Sequence, residues 1–315
     1  MAERTAPGTT TPVEKGPPLL AVVAVAVLGV GVVVAVLNRD SSGHAAPVVA
    51  ATVVESAPSP VVTPPPVLTC PEGMALIPAG TFSMGDADTA SFGAQPPHMV
   101  TLSGFCMDLT EVTVAAYRSC VVAGSCVAAS ATVDFPGMTA QQRRGSSPAC
   151  QANHTNVDQH PINCVDWDQA QAFCRFRGGQ LPTESQWEYA ARGSDGRIYP
   201  WGNAAPASQL CWSGVTQRTS TCPVQSYPGG NSPFGLFDMA GSVWEWTSDW
   251  YEGYTSPAGS SIPNPTGPES GTSRVYRGGG WDGTDPSVFR SADRDGSWHA
   301  VRHLLIGFRC ARGAI

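Results

Sequence analysis

Lysine is almost missing from this chain: Lys15 is the one example, and none occurs from Cys70 onward. Neither Schiff-base catalysis nor a phosphate-binding P-loop can operate there without it. No run of basic residues is present, and a net charge of -7 with an isoelectric point near 5.3 excludes the electrostatic footprint of a nucleic-acid binder. Long helical periodicity is scarce too, because 34 glycines and 28 prolines make up about a fifth of the 315 residues, against roughly 12% in an average protein. Helical bundles and coiled coils are thereby excluded. The chain has no Cys-x2-Cys spacing of a zinc finger and no Gly-x-Ser-x-Gly elbow of an α/β hydrolase.

What the chain does have begins with an apolar run. Residues 18–37 read PLLAVVAVAVLGVGVVVAVL, twenty positions without a charge. At ~1.5 Å per residue a helix of that length crosses a ~30 Å hydrocarbon core, so the run predicts one transmembrane helix, a signal-anchor, after a short tail at 1–17. A cleaved signal peptide is the competing reading, although its apolar region normally runs only ~7 to 15 residues. Residues 38–69 are rich in Ala, Val, Pro, Ser and Thr and read as a semi-stiff spacer. The domain proper spans 70–315, long enough for one large core.

Within the domain, MALIPAGTFSMG suits two short strands and HMVTLSGFCMD a further β segment. A helix is expected from Thr110 to about Val122, with Val114, Tyr117 and Val121 on one face. Asp166 followed by Gln169, and Thr183 followed by Gln186, are capping-box signals for two more helices, which glycines Gly178 and Gly193 should stop. Beyond Tyr199 the chain is mostly Gly, Pro, Trp and Asn, so rigidity there needs disulfides or bound cations.

Several strings occur in order: IPAGTFSMG (77–85), PPHMVTLSGFCMDLTEVTVAAY (96–117), HPINCVDWDQAQAFC (160–174), LPTESQWEYAARG (181–193), YPWGN (199–203), SPFGLFDMAGSVWEWTSDWY (232–251), RVYRGGGWDG (274–283), FRSADR (289–294) and GFRCA (307–311). In this order they resemble the formylglycine-generating enzyme, or sulfatase-modifying factor, family. The resemblance implies an α+β fold related to the C-type lectin-like fold, with little regular secondary structure. The enzymes of the family oxidise a cysteine in a Cys-x-Pro-x-Arg peptide of a sulfatase to formylglycine, using O2 and copper held by two cysteines. The matching interval here, 278–290, contains no cysteine. Copper(I) requires soft thiolates, and Asp282, Thr284 and Asp285 are hard oxygen donors, so copper is not expected.

The resemblance also implies a disulfide between Cys174 and Cys310, while a second family bridge is lost at both ends, at Ala191 and Ser291. Eight cysteines are additional to the family pattern. Their placement suggests Cys120–Cys126, Cys150–Cys164, Cys211–Cys222 and Cys70–Cys106, other pairings of similar merit being open. Five disulfides require an oxidising compartment such as a periplasm or the cell exterior.

A calcium ion is implied at Asp238, Gly241, Val243 and Glu245, where two carboxylates flank a glycine turn; the plain alternative is a Glu245–arginine pair. A second family calcium site falls on 207–224, which has no Asp, and Cys211–Cys222 would staple that loop instead. His299 and His303 have the i,i+4 spacing of a helical metal pair but no acidic partner, and read as a solvated segment. His98 and His160 read as structural. Trp281, Arg290 and Arg294 would favour a ligand groove if exposed. The sequence therefore predicts a membrane-tethered, extracytoplasmic, non-catalytic binding or scaffold member, with a polypeptide in the family groove as partner. Its rival is a formylglycine-generating oxidase acting in sulfatase maturation.

Overall fold

The computed structural model describes residues 22–27, 32–37, 68–88, 93–255 and 261–314. The chain divides into two units, Met1–Pro65 and Pro66–Ile315. In the first, strand β1 (Val22–Val27) pairs antiparallel with β2 (Val32–Leu37), so the single helix expected over 18–37 is not what the described residues form. The physical reason lies in the run itself: its valines are β-branched and favour strands, and Gly29 and Gly31 weaken a helix. Among the described residues no helix is long and apolar enough to cross a membrane. The spacer expected over 38–69 lies outside the described residues except at its last two positions.

In the second unit, MALIPAGTFSMG does split into two strands, β3 (Met74–Ile77) and β4 (Gly80–Met84), but they do not pair with each other. The segment after them folds as β5 (His98–Leu102) and β6 (Phe105–Asp108), with β4 on β5 and β3 on β6, both antiparallel. Gly80 is required where β4 begins, since a Cβ there would fall 2.1 Å from the Tyr189 hydroxyl. Helix α1 (Val114–Val122) starts later than Thr110, because Thr113 is the residue whose side chain caps Ala116. Helix α2 (Ala140–Ser146), α3 (Trp167–Phe176) and α4 (Glu184–Arg192) each open on a complete capping box, at Thr139/Gln142, Asp166/Gln169 and Thr183/Gln186. Each such cap contributes about 1 kcal/mol.

The remaining strands are β7 (Trp244–Trp250), β8 (Ile262–Pro263), β9 (Arg274–Arg277), β10 (Arg294–Ser297), β11 (Ile306–Gly307) and β12 (Ala311–Gly313). They complete three small sheets, ordered β10-β9-β7-β11, β12-β6-β3 and β4-β5-β8. Two apolar clusters hold them together. One joins β4 and β5 to α4 through Phe82, Val100, Leu102 and Trp187; the other joins α1 and α3 to β7 and β11 through Tyr117, Phe173, Trp246 and Ile306, with Phe308 just beyond β11. Such large rings buried to near-zero exposure each contribute roughly 2–3 kcal/mol of apolar transfer energy.

All ten cysteines are in disulfides: Cys70–Cys106, Cys120–Cys126, Cys150–Cys164, Cys174–Cys310 and Cys211–Cys222. Cys174–Cys310 ties α3 to the residue preceding β12, closing the longest loop, with a sequence separation of 136.

Candidate functional site

The expected cation ligands lie on the loop that enters β7. Asp238, Gly241 and Ser242 all take positive φ, at 57°, 82° and 60°. Gly241 cannot be replaced cheaply, because a Cβ there would sit 2.7 Å from the Cys211 carbonyl oxygen. Backbone bonds pin the loop: Gly241 N–H donates to Gly278 O, Ser242 N–H to Cys211 O and Trp281 N–H to Ser242 O, each at 2.9 Å. The Cys211–Cys222 staple thus braces the same turn. The Gln225 amide donates to Asp238 Oδ2 at 2.7 Å, and burial pushes the Asp238 carboxyl up.

Glu245, the fourth expected ligand, is heavily engaged. Arg309 Nε donates to its Oε2 and Arg309 Nη2 to its Oε1, each at 2.7 Å, while Trp187 Nε1 donates to Oε2 at 2.8 Å. Arg309 is itself buried and also binds the carbonyls of Asp108, Leu109 and Phe237. It therefore knots the 108–111 segment to the loop that carries Asp238. On that segment sits Glu111, which sequence reasoning did not single out. It is 1% exposed, and among the described residues neither of its oxygens meets a donor from another residue. Burial, then the charge of Asp238, raises its pKa well above the usual carboxylate range. An unpaired buried carboxylate must bind a proton or a cation, because its isolated charge is too costly in a low-dielectric interior. Asp238 lies close enough for its charge to act on Glu111, while Glu245 is already neutralised by Arg309.

A second acid cluster lies along α4 and is paired within itself. Glu184 receives Arg294 Nε at 2.6 Å, Arg294 Nη2 at 2.8 Å and the Tyr254 hydroxyl at 3.0 Å. Burial alone would raise Glu184, but Arg294 and Arg277 more than reverse it and hold the carboxyl below its ordinary value. Glu188 pairs with both Arg277 and Arg192.

The interval 278–290 contains no acid–thiol constellation. Trp281 is 8% exposed and packs on Cys211 and Cys222; Arg290 pairs with Asp86 at 2.7 Å and Arg294 is 3% exposed. Trp281 and Arg294 are thus buried and Arg290 half-buried, the two arginines being held in ion pairs with Glu184 and Asp86. His299 and His303 lie on no helix; His299 bonds Asp168 at 2.9 Å, while burial lowers His303. His98 bonds the Pro96 carbonyl at 3.1 Å and His160 the Thr221 hydroxyl at 2.9 Å. Among the described residues no three His, Cys, Asp or Glu side chains gather in a ready-made metal cluster.

Three small sheets, short capped helices and a disulfide-braced loop around a β-strand acid define an α+β domain of the sulfatase-modifying type. Residues 59–314 match the sulfatase-modifying factor enzyme 1-like domain, and the chain belongs to that family. It is similar to the formylglycine-generating enzyme of Streptomyces coelicolor, 33% identical over 285 residues that cover 77% of this chain and 90% of the relative. It is similar as well to the inactive C-alpha-formylglycine-generating enzyme 2 of Bos taurus, 31% identical, covering 76% and 88%. Among solved structures, PvdO from Pseudomonas aeruginosa superposes with a TM-score of 0.58 at 26% identity, covering 76% of this chain and 94% of that one.

Proposed function

We propose that this chain is a non-catalytic binding or scaffold member of its family, working outside the cytoplasm and tethered through the apolar segment 18–37. One observation carries the reading: every cysteine is spent in a disulfide and none lies in 278–290, so no thiolate is left to hold copper(I). Five disulfides in one domain suit an oxidising compartment. A two-stranded sheet would leave its edges unsatisfied in hydrocarbon, so an anchor made from 18–37 would be helical in the bilayer. Carbonate extraction and protease protection of the full chain in membranes test that attachment.

In this reading the partner is a polypeptide, and the bound ion is Ca2+, held by Asp238, the carbonyls of Gly241 and Val243, and Glu111; Glu245, the fourth ligand expected from the sequence, has both oxygens engaged by Arg309, as in the plain alternative. The ion supplies no chemistry beyond charge and rigidity. Titration calorimetry with Ca2+ is expected to show binding that Glu111→Gln abolishes; no heat, and no effect of a chelator on melting, would remove the ion from the account.

The alternative, a formylglycine-generating oxidase, is favoured by the identity to the Streptomyces coelicolor enzyme. Incubating the purified full chain with copper, O2 and a Cys-x-Pro-x-Arg peptide decides between them. No aldehyde should form; aldehyde in the mass spectrum would overturn the non-catalytic reading.

A further inference from the structure

A cavity of about 420 Å³, within the size range of small-ligand sites, opens beside the end of β7. It shares no lining residue with 278–290 and none with the Glu111–Asp238 centre. Its walls include Trp250 and Tyr254, and its charges are Glu184, Asp249, Glu252 and Arg294, with His98 at the lining. The positive charge is already committed. Arg294 makes two hydrogen bonds to Glu184 and two more to the carbonyls of Gly93 and Glu252. Glu184 is cancelled by that pairing.

Asp249 is not cancelled. Its Oδ2 accepts the Glu184 amide at 2.8 Å and the Ser248 hydroxyl at 2.9 Å, whereas its Oδ1 accepts no hydrogen bond from the described residues. It is 4% exposed and, among the described residues, forms no salt bridge, Arg294 and Arg274 acting on it only through their charges. Burial, followed by the nearby Glu184 charge, pushes its carboxyl up to about 7. The exposed Glu252 adds a second negative charge to the lining. Trp250 and Tyr254 each already have an arginine over one ring, Arg274 at 3.4 Å and Arg294 at 4.1 Å from the centroid, so it is the surplus carboxylate beside apolar walls that is complementary to a positive group on an apolar stem. A divalent metal fits it poorly, since one buried carboxylate oxygen is far short of the six to eight oxygens calcium takes.

We propose that this cavity binds an organic cation, a guanidinium or ammonium group on an aliphatic stem, with Asp249 Oδ1 as counter-ion and Glu252 as the second negative charge. The source favoured is an arginine or lysine side chain of a partner polypeptide, a choice that rests on the binding reading above; the cation site itself does not. The pairing is a charge-assisted contact to a carboxylate, for which the planar fork of Arg is better suited than a compact ammonium.

The test titrates the full chain with acetyl-arginine methylamide, with agmatine, and with the neutral isostere acetyl-citrulline methylamide, following tryptophan fluorescence and calorimetry. The arginine probe should bind at least ~10-fold more tightly than citrulline, the factor one charge-assisted contact supplies. A tighter arginine peptide than agmatine identifies a polypeptide source, and the reverse order a free guanidine or amine; either supports the cation site. Asp249→Asn should lower the affinity ~10-fold or more. Because Asp249 also accepts the first amide of α4, Glu252→Gln, whose side chain makes no hydrogen bond or ion pair among the described residues, is the second variant and should weaken binding ~2–3-fold. Equal binding of arginine and citrulline probes, no binding of either, or an unchanged affinity in Glu252→Gln and a folded Asp249→Asn would overturn the proposal.

Discussion

The two buried acid clusters differ in one respect. Along α4, Glu184 and Glu188 are matched by Arg294, Arg277 and Arg192, and the chain supplies every counter-charge. Around the β7 loop, Arg309 serves Glu245, while Glu111 and Asp238 have no guanidinium of their own. The first cluster is complete as an isolated polypeptide; the second needs something from solution, a proton or a cation. Folding can therefore be unconditional in one half of the site region and conditional in the other.

The largest expected effect breaks the self-sufficient cluster. Arg277→Met leaves Glu188 with Arg192 alone and Glu184 with Arg294 alone in the interior and should cost about 3 kcal/mol in denaturant unfolding, with the same loss in Ca2+ and in chelator. Next, Ca2+ at a hundredfold excess over its dissociation constant should stabilise the wild-type chain by about 2.7 kcal/mol. Glu111→Gln should erase that increment without touching the α4 cluster, as paired melts with and without chelator would show.

Titration separates the clusters a third way. Asp249 and Asp293, each pushed up to about 7 chiefly by burial, bind more protons folded than unfolded above pH ~4, so their contribution falls as pH rises from about 4 to 7. Glu111 and Asp238 have the same sign when no cation is present. Glu184 and Asp86, held below their ordinary values, act oppositely: their contribution is present above about pH 4 and is lost as pH falls through their folded values. Cation-free protein should thus lose up to about 1.4 kcal/mol per pH unit for each raised carboxyl between pH 4 and 7, and Ca2+ should flatten the slope. The smallest effect belongs to the surface: Arg118→Ala, removing a pair to Asp158 whose side chains are 45% and 62% exposed, should change stability by about 0–1 kcal/mol, vanishing at high salt.

Much of this was readable from the residues. The Asp166 and Thr183 capping boxes mark α3 and α4, and the collinear strings mark the family. Helix α2 carries an equally clear signal in Thr139 and Gln142, yet it buries no residue and so shows no apolar stripe to attract notice. Glu111 was hidden by a boundary shift. With a helix start at Thr110 it reads as a first-turn acid in solvent; with the true cap at Thr113 it precedes the helix and turns inward. The arginine that neutralises Glu245 lies 64 residues away, and such pairing is set by tertiary packing that no local window contains. The valine-rich run shows the opposite problem, since its composition supports either a helix or paired strands and only the environment selects.

The Cys174–Cys310 bond has a consequence for how the molecule breaks. It turns 174–310 into a covalent ring containing Glu184, Asp238, Glu245, Arg277, Arg294 and Arg309, while Glu111 stays on the strand of chain outside it. A single proteolytic nick anywhere inside the ring leaves one species until the disulfide is reduced, and only then two fragments. A nick between Cys126 and Cys150, by contrast, separates Glu111 from the ring at once in sequence, and the pieces stay associated through their shared interior alone.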